Sequence, residues 1–164
     1  MLEELKHNAE TYARVRTARI IDELGFGVHG NVYLFLDLIS KGRYAVKAHR
    51  HREAYARERD VYHRLRENHI ETVRSFHVPR FIRSHDELRI IEMTIVTKPH
   101  VLDFGAGYLD HRPEFSEEVW ADWEEKTRDR FGARWAVVEE ILAEFEQLGV
   151  FLLDPTPDNI AFLD

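Results

Sequence analysis

Three groups of residues in this chain have the types and spacing to do chemistry together. The first is the turn Gly25-Phe26-Gly27-Val28-His29-Gly30, followed by Asn31-Val32-Tyr33. Glycine leaves backbone N–H groups uncovered, so such a turn can fold over phosphate oxygens, although a plain hairpin uses the same residues. The second is Lys47, an ammonium inside the apolar stretch Tyr44 to Ala48, and Glu58 further on. At ~100° per residue, Ala54, Tyr55, Val61, Tyr62 and Leu65 fall within about 60° of Glu58 on a helix. Glu58 is thus centred on an apolar stripe, where an unpaired carboxylate costs several kcal/mol. Lys47 is one partner in reach and a neighbouring arginine is another. The third group is Asp154 and Asn159 in Leu-Leu-Asp-Pro-Thr-Pro-Asp-Asn, where two prolines stiffen the loop between them. An aspartate before proline is also a common turn residue.

These groups need elements to hold them. Leu2, Leu5, Ala9 and Tyr12 recur at helical spacing and predict a helix over about residues 2–17. Ile20–Leu24, Asn31–Leu38 and Arg43–Ala48 read as strands, broken by the glycine turn and by Ser40-Lys41-Gly42. Glu53–Arg66 reads as a helix. Pro79–Ser84 and Leu88–Thr97 read as two more strands, with His85-Asp86-Glu87 between them. Residues 98–113 hold two prolines and two glycines and read as a connector. Ser116 can cap a helix to about Arg130, with Glu117 and Glu118 in its first turn. A second helix carries Val138, Ile141, Leu142, Phe145 and Leu148 on one face and ends at Gly149. The tail reads as a loop and a short strand, Ile160–Leu163. The organisation expected is residues 1–97 as a strand-rich lobe, 98–113 as connector and 114–164 as a reduced helical lobe.

In this order and spacing the three groups resemble the protein-kinase-like superfamily. Gly-Phe-Gly-Val-His-Gly-Asn-Val-Tyr resembles its glycine-rich loop, Ala-Val-Lys its strand lysine, and Glu-Arg-Asp-Val-Tyr its lobe helix with the lysine-pairing glutamate. Leu-Leu-Asp-Pro-Thr-Pro-Asp-Asn resembles its catalytic loop. The resemblance covers residues 20–164 and implies an α+β, protein-kinase-like fold: an antiparallel five-stranded lobe with one lobe helix over a small helical lobe. It implies ATP and Mg2+ as ligands. Gly25, Gly27, Gly30, Val32, Lys47, Met93 and Val96 would bind nucleotide, the stretch Ile90–Val96 acting as a hinge strand against adenine. Lys47 and Glu58 would clamp phosphates, Asp154 would act on the acceptor hydroxyl and Asn159 would hold the metal.

The departures are as specific as the matches. Leu152 stands where the family has a histidine, and Thr156 where many members have a lysine. Asp103-Phe104-Gly105 spells the family's metal triplet, but it precedes the Asp154 loop where the family has it after; it reads as a coincidence, with Asp103 a turn or cap residue. Asp164 follows Asn159 too closely for a hairpin to return it to the cleft, so one metal carboxylate is missing. Three functions stay open: a reduced phosphotransferase acting on a protein or small-molecule hydroxyl, a catalytically inactive binding or regulatory module of pseudokinase type, and a fold with no nucleotide role.

The totals bound these readings. A net charge of −7 disfavours nucleic-acid or membrane binding through a basic surface. No cysteine is present, which excludes thiolate metal sites and a thiol nucleophile. The first twelve residues have no apolar core of a signal peptide and no run is long enough to span a membrane, so a cytoplasmic location is expected. His49-Arg-His51 reads as a solvated basic segment and not a metal pair, and the arginines from Arg50 to Arg66 as an outer helix face that could dock an acidic partner. Trp120, Trp123 and Trp135 read as helical core.

Overall fold

The computed structural model describes residues 2–164. Helix α1 (Leu2–Val15) leads into strands β1 (Ala18–Phe26), β2 (Gly30–Asp37) and β3 (Arg43–His49), then helix α2 (Arg52–Glu67). Two short strands follow, β4 (Thr72–Val73) and β5 (Phe76–His77), then β6 (Phe81–His85) and β7 (Ile90–Met93). The remainder holds β8 (His100–Val101), β9 (Gly107–Leu109), α3 (Glu117–Phe131), α4 (Trp135–Gln147), β10 (Val150–Leu152) and β11 (Ile160–Ala161). The fold is α+β, built on a five-stranded antiparallel sheet of order β1-β2-β3-β7-β6.

Strand alternation sorts side chains onto the two faces of that sheet. Tyr33, Phe35, Val46, Ala48 and Ile90 face α1 and pack on Leu5, Ala9 and Tyr12. Ala45, Ile91 and Met93 face the other way, joining Tyr55, Val61, Tyr62 and Leu65 of α2. The second cluster continues into Val138, Ile141 and Phe145 of α4, so one core spans the sheet and the C-terminal helices. Each fully buried Leu, Ile or Phe contributes about 1.5–3 kcal/mol, which makes α2 the element that joins the two halves. Arg64 reinforces this joint, donating to Asp110 and to the Leu148 carbonyl at the end of α4.

Several local expectations hold. Ser116 caps α3, its hydroxyl accepting from the Val119 N–H at 3.3 Å. Gly149 takes φ +73° just past α4, a conformation that favours glycine. The strand expected over Leu88–Thr97 is shorter, ending at Met93. Trp123 and Trp135 pack against the core from its edge, half-buried.

Residues 98–113 are more than a connector. They contain β8 and β9, and each pairs with a strand near the C-terminus: β8 with β11, β9 with β10. Strand β8 also lies beside β5, giving a small sheet of order β11-β8-β5-β4. Two- and three-residue strands carry too little periodicity to show in a sequence, which is why β4, β5 and β10 were not expected. Their effect is to bring the loop 102–106 and the tail 153–159 together under the main sheet.

Candidate functional site

Lys47 and Glu58 meet as an ion pair, Nζ to Oε2 at 2.7 Å. Both are buried, at 4% and 1% exposure. Position 47 shares its strand face with Ala45 and His49, and position 58 is central on the apolar stripe of α2, so packing α2 on the sheet brings them together. Burial alone would push the Glu58 carboxyl up; the charges of Lys47 and then His49 outweigh it and hold Glu58 down at about 2. Burial likewise works against the Lys47 ammonium, but Glu58 and Asp103 overcome it and raise Lys47 above its ordinary value.

His49 departs from the expectation of a solvated basic segment. It is fully buried, with Nε2 2.7 Å from Glu58 Oε2 and Nδ1 3.1 Å from the Arg89 carbonyl. One Glu58 oxygen therefore serves both β3 side chains. The signal was present in the sequence: residues 47 and 49 are two apart on a strand and must share a face. The arginine face of α2 is also less free than expected: Arg57 donates to the Gly105 carbonyl, Arg59 to Asp60 and Asp86.

Asp103 is the larger departure. Its Oδ1 lies 2.8 Å from Lys47 Nζ. The residue does act in its turn, accepting the Gly105 N–H at 3.2 Å, and it has φ +62°. It is nonetheless no bystander in a connector: Lys47 stands between two carboxylates. Phe104 is fully buried, edge-on to Tyr62 and packed on Phe145, and this anchors the turn in the core. Gly105 is needed for space, since a Cβ there would come within 2.7 Å of the His29 ring. The tip of the glycine turn thus rests on the Asp103-Phe104-Gly105 turn.

The three glycines of the roof differ. A Cβ at Gly30 would lie 2.1 Å from the Ala48 carbonyl oxygen, so Gly30 is required by β2–β3 packing. Gly25 has nothing within 4 Å on its Cβ side, and Gly27 has only Asp103 Oδ2 at 3.9 Å. Open space is on the side of these two.

Beneath the turn is a cavity of about 540 Å³. Gly25, Gly27, Gly30, Val32, Lys47, Glu58, Met93, Val96, Asp154 and Asn159 all line it, so every site residue expected from sequence borders one hollow. Its volume suits a small-molecule ligand. Its lining combines apolar side chains, Leu24, Val32, Ala45, Met93 and Val96, with the polar Lys47, Asp103, Asp154, Asp158 and Asn159. The tail reaches it through β8–β11 pairing and through the Leu102 N–H, which donates to the Asn159 carbonyl at 2.8 Å. Asn159 Nδ2 donates to the Asp154 carbonyl at 3.1 Å, which fixes the loop's closure. Asp154 itself is half-exposed and lies 3.7 Å from Arg130. Asp164 is outside the cavity, 94% exposed near Lys98.

The acidic and basic side chains of the lining are one lysine, two histidines and four carboxylates, Glu58, Asp103, Asp154 and Asp158, with no arginine. Among the described residues no three acidic or histidine side chains are arranged to hold a metal ion on their own, and no helix is long and apolar enough to cross a membrane. No protein-family model matches the chain, and no curated protein sequence matches it.

Proposed function

We propose that the cavity binds a nucleoside triphosphate with Mg2+, as in the protein-kinase-like proteins that the sequence resembles, and that the chain is a reduced phosphotransferase. The observation that carries this reading is the shared hollow: the glycine turn, the buried Lys47–Glu58 pair and the Asp154–Asn159 loop, far apart in sequence, border one cavity. The apolar lining from Val32, Ala45, Met93 and Val96 suits a planar base. The open side of Gly25 and Gly27 leaves backbone room for phosphates. Lys47 donates to Glu58 and Asp103 and has a third N–H for a phosphate oxygen.

The donor set fits magnesium arriving with the ligand. Mg2+ takes oxygen ligands and is commonly held by one or two carboxylates plus substrate phosphates. The Asn159 amide oxygen and Asp158 are the protein donors offered, and the phosphates complete the set that the protein side chains do not form alone. When bound, the metal neutralises phosphate charge in the transition state. Asp154 would accept the proton of an acceptor hydroxyl as its oxygen bonds to the γ-phosphorus and the bond to the β-phosphate oxygen breaks.

A second reading, nucleotide binding without transfer, is favoured by Asp154 itself. It is half-exposed and lies 3.7 Å from Arg130. Asp154 would then be only a partner of Arg130. Thermal unfolding with millimolar ATP and Mg2+ tests both readings: native-state binding raises the midpoint. The rise should vanish in Lys47→Ala. Absence of any rise in the parent protein removes the nucleotide reading. Product formation lost in Asp154→Asn selects transfer over binding alone.

A further inference from the structure

We propose that the end of the main sheet around Arg19 and Arg43 docks, head to tail, on the outer face of α3 in a second copy of this chain. Neither surface borders the cavity, so the inference stands apart from the nucleotide reading. The net charge of −7 is unevenly spread. Segments 14–19 and 37–43 meet at one end of the sheet, where the Leu38 N–H donates to the Thr17 carbonyl at 3.0 Å. Together they carry Arg14, Arg16, Arg19, Lys41 and Arg43 against a single acid, Asp37. Asp37 is engaged by its own turn, accepting the Ile39 and Ser40 N–H groups, and by Arg16. The other four cations are exposed, and among the described residues none of them has a carboxylate partner. Apolar side chains stand with them: Val15 and Leu38 are exposed, and Ile39 is 78% exposed at the turn.

Charge and spacing together point to α3 as the occupant. Arg19 on β1 and Arg43 on β3 are both paired with Leu36 of β2. They therefore flank Leu36 on one sheet face, two strand spacings or about 10 Å apart. On α3, Glu118, Asp122, Glu125 and Asp129 are all exposed and recur at i, i+4, i+7 and i+11. At ~100° per residue they fall within about 60° of one another. Trp123, Thr127 and Phe131 take the opposite face, toward the core, which turns the acidic stripe outward. Glu118 and Glu125 are about 10 Å apart along the helix, matching the two arginines. Of the four carboxylates only Asp122 has a basic partner among the described residues, Lys126 on its own helix. Val119 and Phe115 expose apolar surface beside the stripe, as Leu38 and Ile39 do beside the arginines. Because the two patches differ, the contact is heterologous and builds open chains or rings, not a symmetric pair.

Sedimentation velocity on the intact protein is the experiment. At about 20 mM salt, where screening is weak, the average mass should rise at least about twofold as the protein is concentrated to about 200 μM, and return to the monomer at about 0.5 M salt. Arg19→Glu with Arg43→Glu, and separately Glu118→Lys with Glu125→Lys, should each stay monomeric in low salt. All four positions are exposed, and circular dichroism checks that both variants are folded. An equimolar mixture of the two should regain most of the parent's association, because each reversed patch then meets a reversed partner. A parent that stays monomeric at low salt overturns the proposal without any variant. Either variant associating like the parent overturns it too, as does a mixture of the two folded variants that stays monomeric. A monomeric parent retained on phosphatidylserine vesicles assigns the arginine end to a lipid surface and overturns the second copy as occupant. ATP binding, measured separately, is unaffected by any of these outcomes.

Discussion

Two glutamates, Glu58 and Glu92, are buried to nearly the same depth, at 1% and 2% exposure, on opposite sides of the central sheet. Their surroundings differ in kind. Glu92 on β7 faces α1, where Arg16 donates through Nε at 2.9 Å and Nη2 at 3.1 Å, one bond to each oxygen. Tyr12 adds its hydroxyl at 2.6 Å. The guanidinium fork and the Tyr12 hydroxyl together engage both oxygens of Glu92, and none of these three residues borders the cavity. Glu58 is held instead by a lysine and a histidine through one oxygen, and that lysine continues to Asp103 and the cavity. A buried charge closed by arginine pins a helix. A buried charge closed by lysine, next to a hollow, leaves donors for a ligand. Burial and charge alone do not tell the two pairs apart; the geometry of the partner does.

Removing one side of either pair should test this contrast. The largest effect is expected from Glu92→Ala, which leaves Arg16 without its buried partner and undocks α1. Such losses cost about 3–5 kcal/mol. Urea unfolding should show that fall, while ligand affinity per folded molecule stays unchanged, since Glu92 does not border the cavity. Next comes Glu58→Gln, which keeps the shape but not the charge. It should cost about 1–3 kcal/mol and, unlike Glu92→Ala, abolish the ATP-dependent rise in melting temperature. If both variants lose ligand equally, the distinction between the two sites fails.

Acid should probe the Glu58 site as well. Glu58 titrates at about 2 when folded against an ordinary 4.5. The unfolded chain therefore takes up that proton first as pH falls, and the folded state loses the stabilisation between pH 4.5 and 2. Above pH 4.5 the contribution is complete. Acid unfolding followed by circular dichroism should be less steep in Glu58→Gln over that range. The smallest effect belongs to Tyr12→Phe, which removes one of the hydrogen bonds on Glu92 and leaves the arginine fork. A loss of about 1–2 kcal/mol is expected, equivalent to a few degrees in midpoint for a chain of this size.

The legible part of this protein is the part governed by local period. Alternation along 43–49 and the stripe along 54–65 place Lys47 and Glu58 on facing surfaces, and their ion pair follows once α2 packs on the sheet. Capping by Ser116 and termination at Gly149 are local too. The same alternation already implied that His49 accompanies Lys47 into the interior. The flanking His51 and arginines give 49–52 a polar look that hid it.

Asp103 lay beyond such reasoning. Its partner is 56 residues away, and its place depends on Phe104 entering the core and on strands of two residues pairing β8 with β11. So short a strand leaves no period in the sequence, and a turn's position in space is decided by what packs around it. Periodicity and turn residues by themselves marked the strand segments of the main sheet and the four helices, and set Lys47 and Glu58 on apolar faces. Only the tertiary structure decided that the loop at 103 and the loop at 154–159 share one cavity with Lys47, because long-range packing and strand pairing, not local preference, set where loops meet.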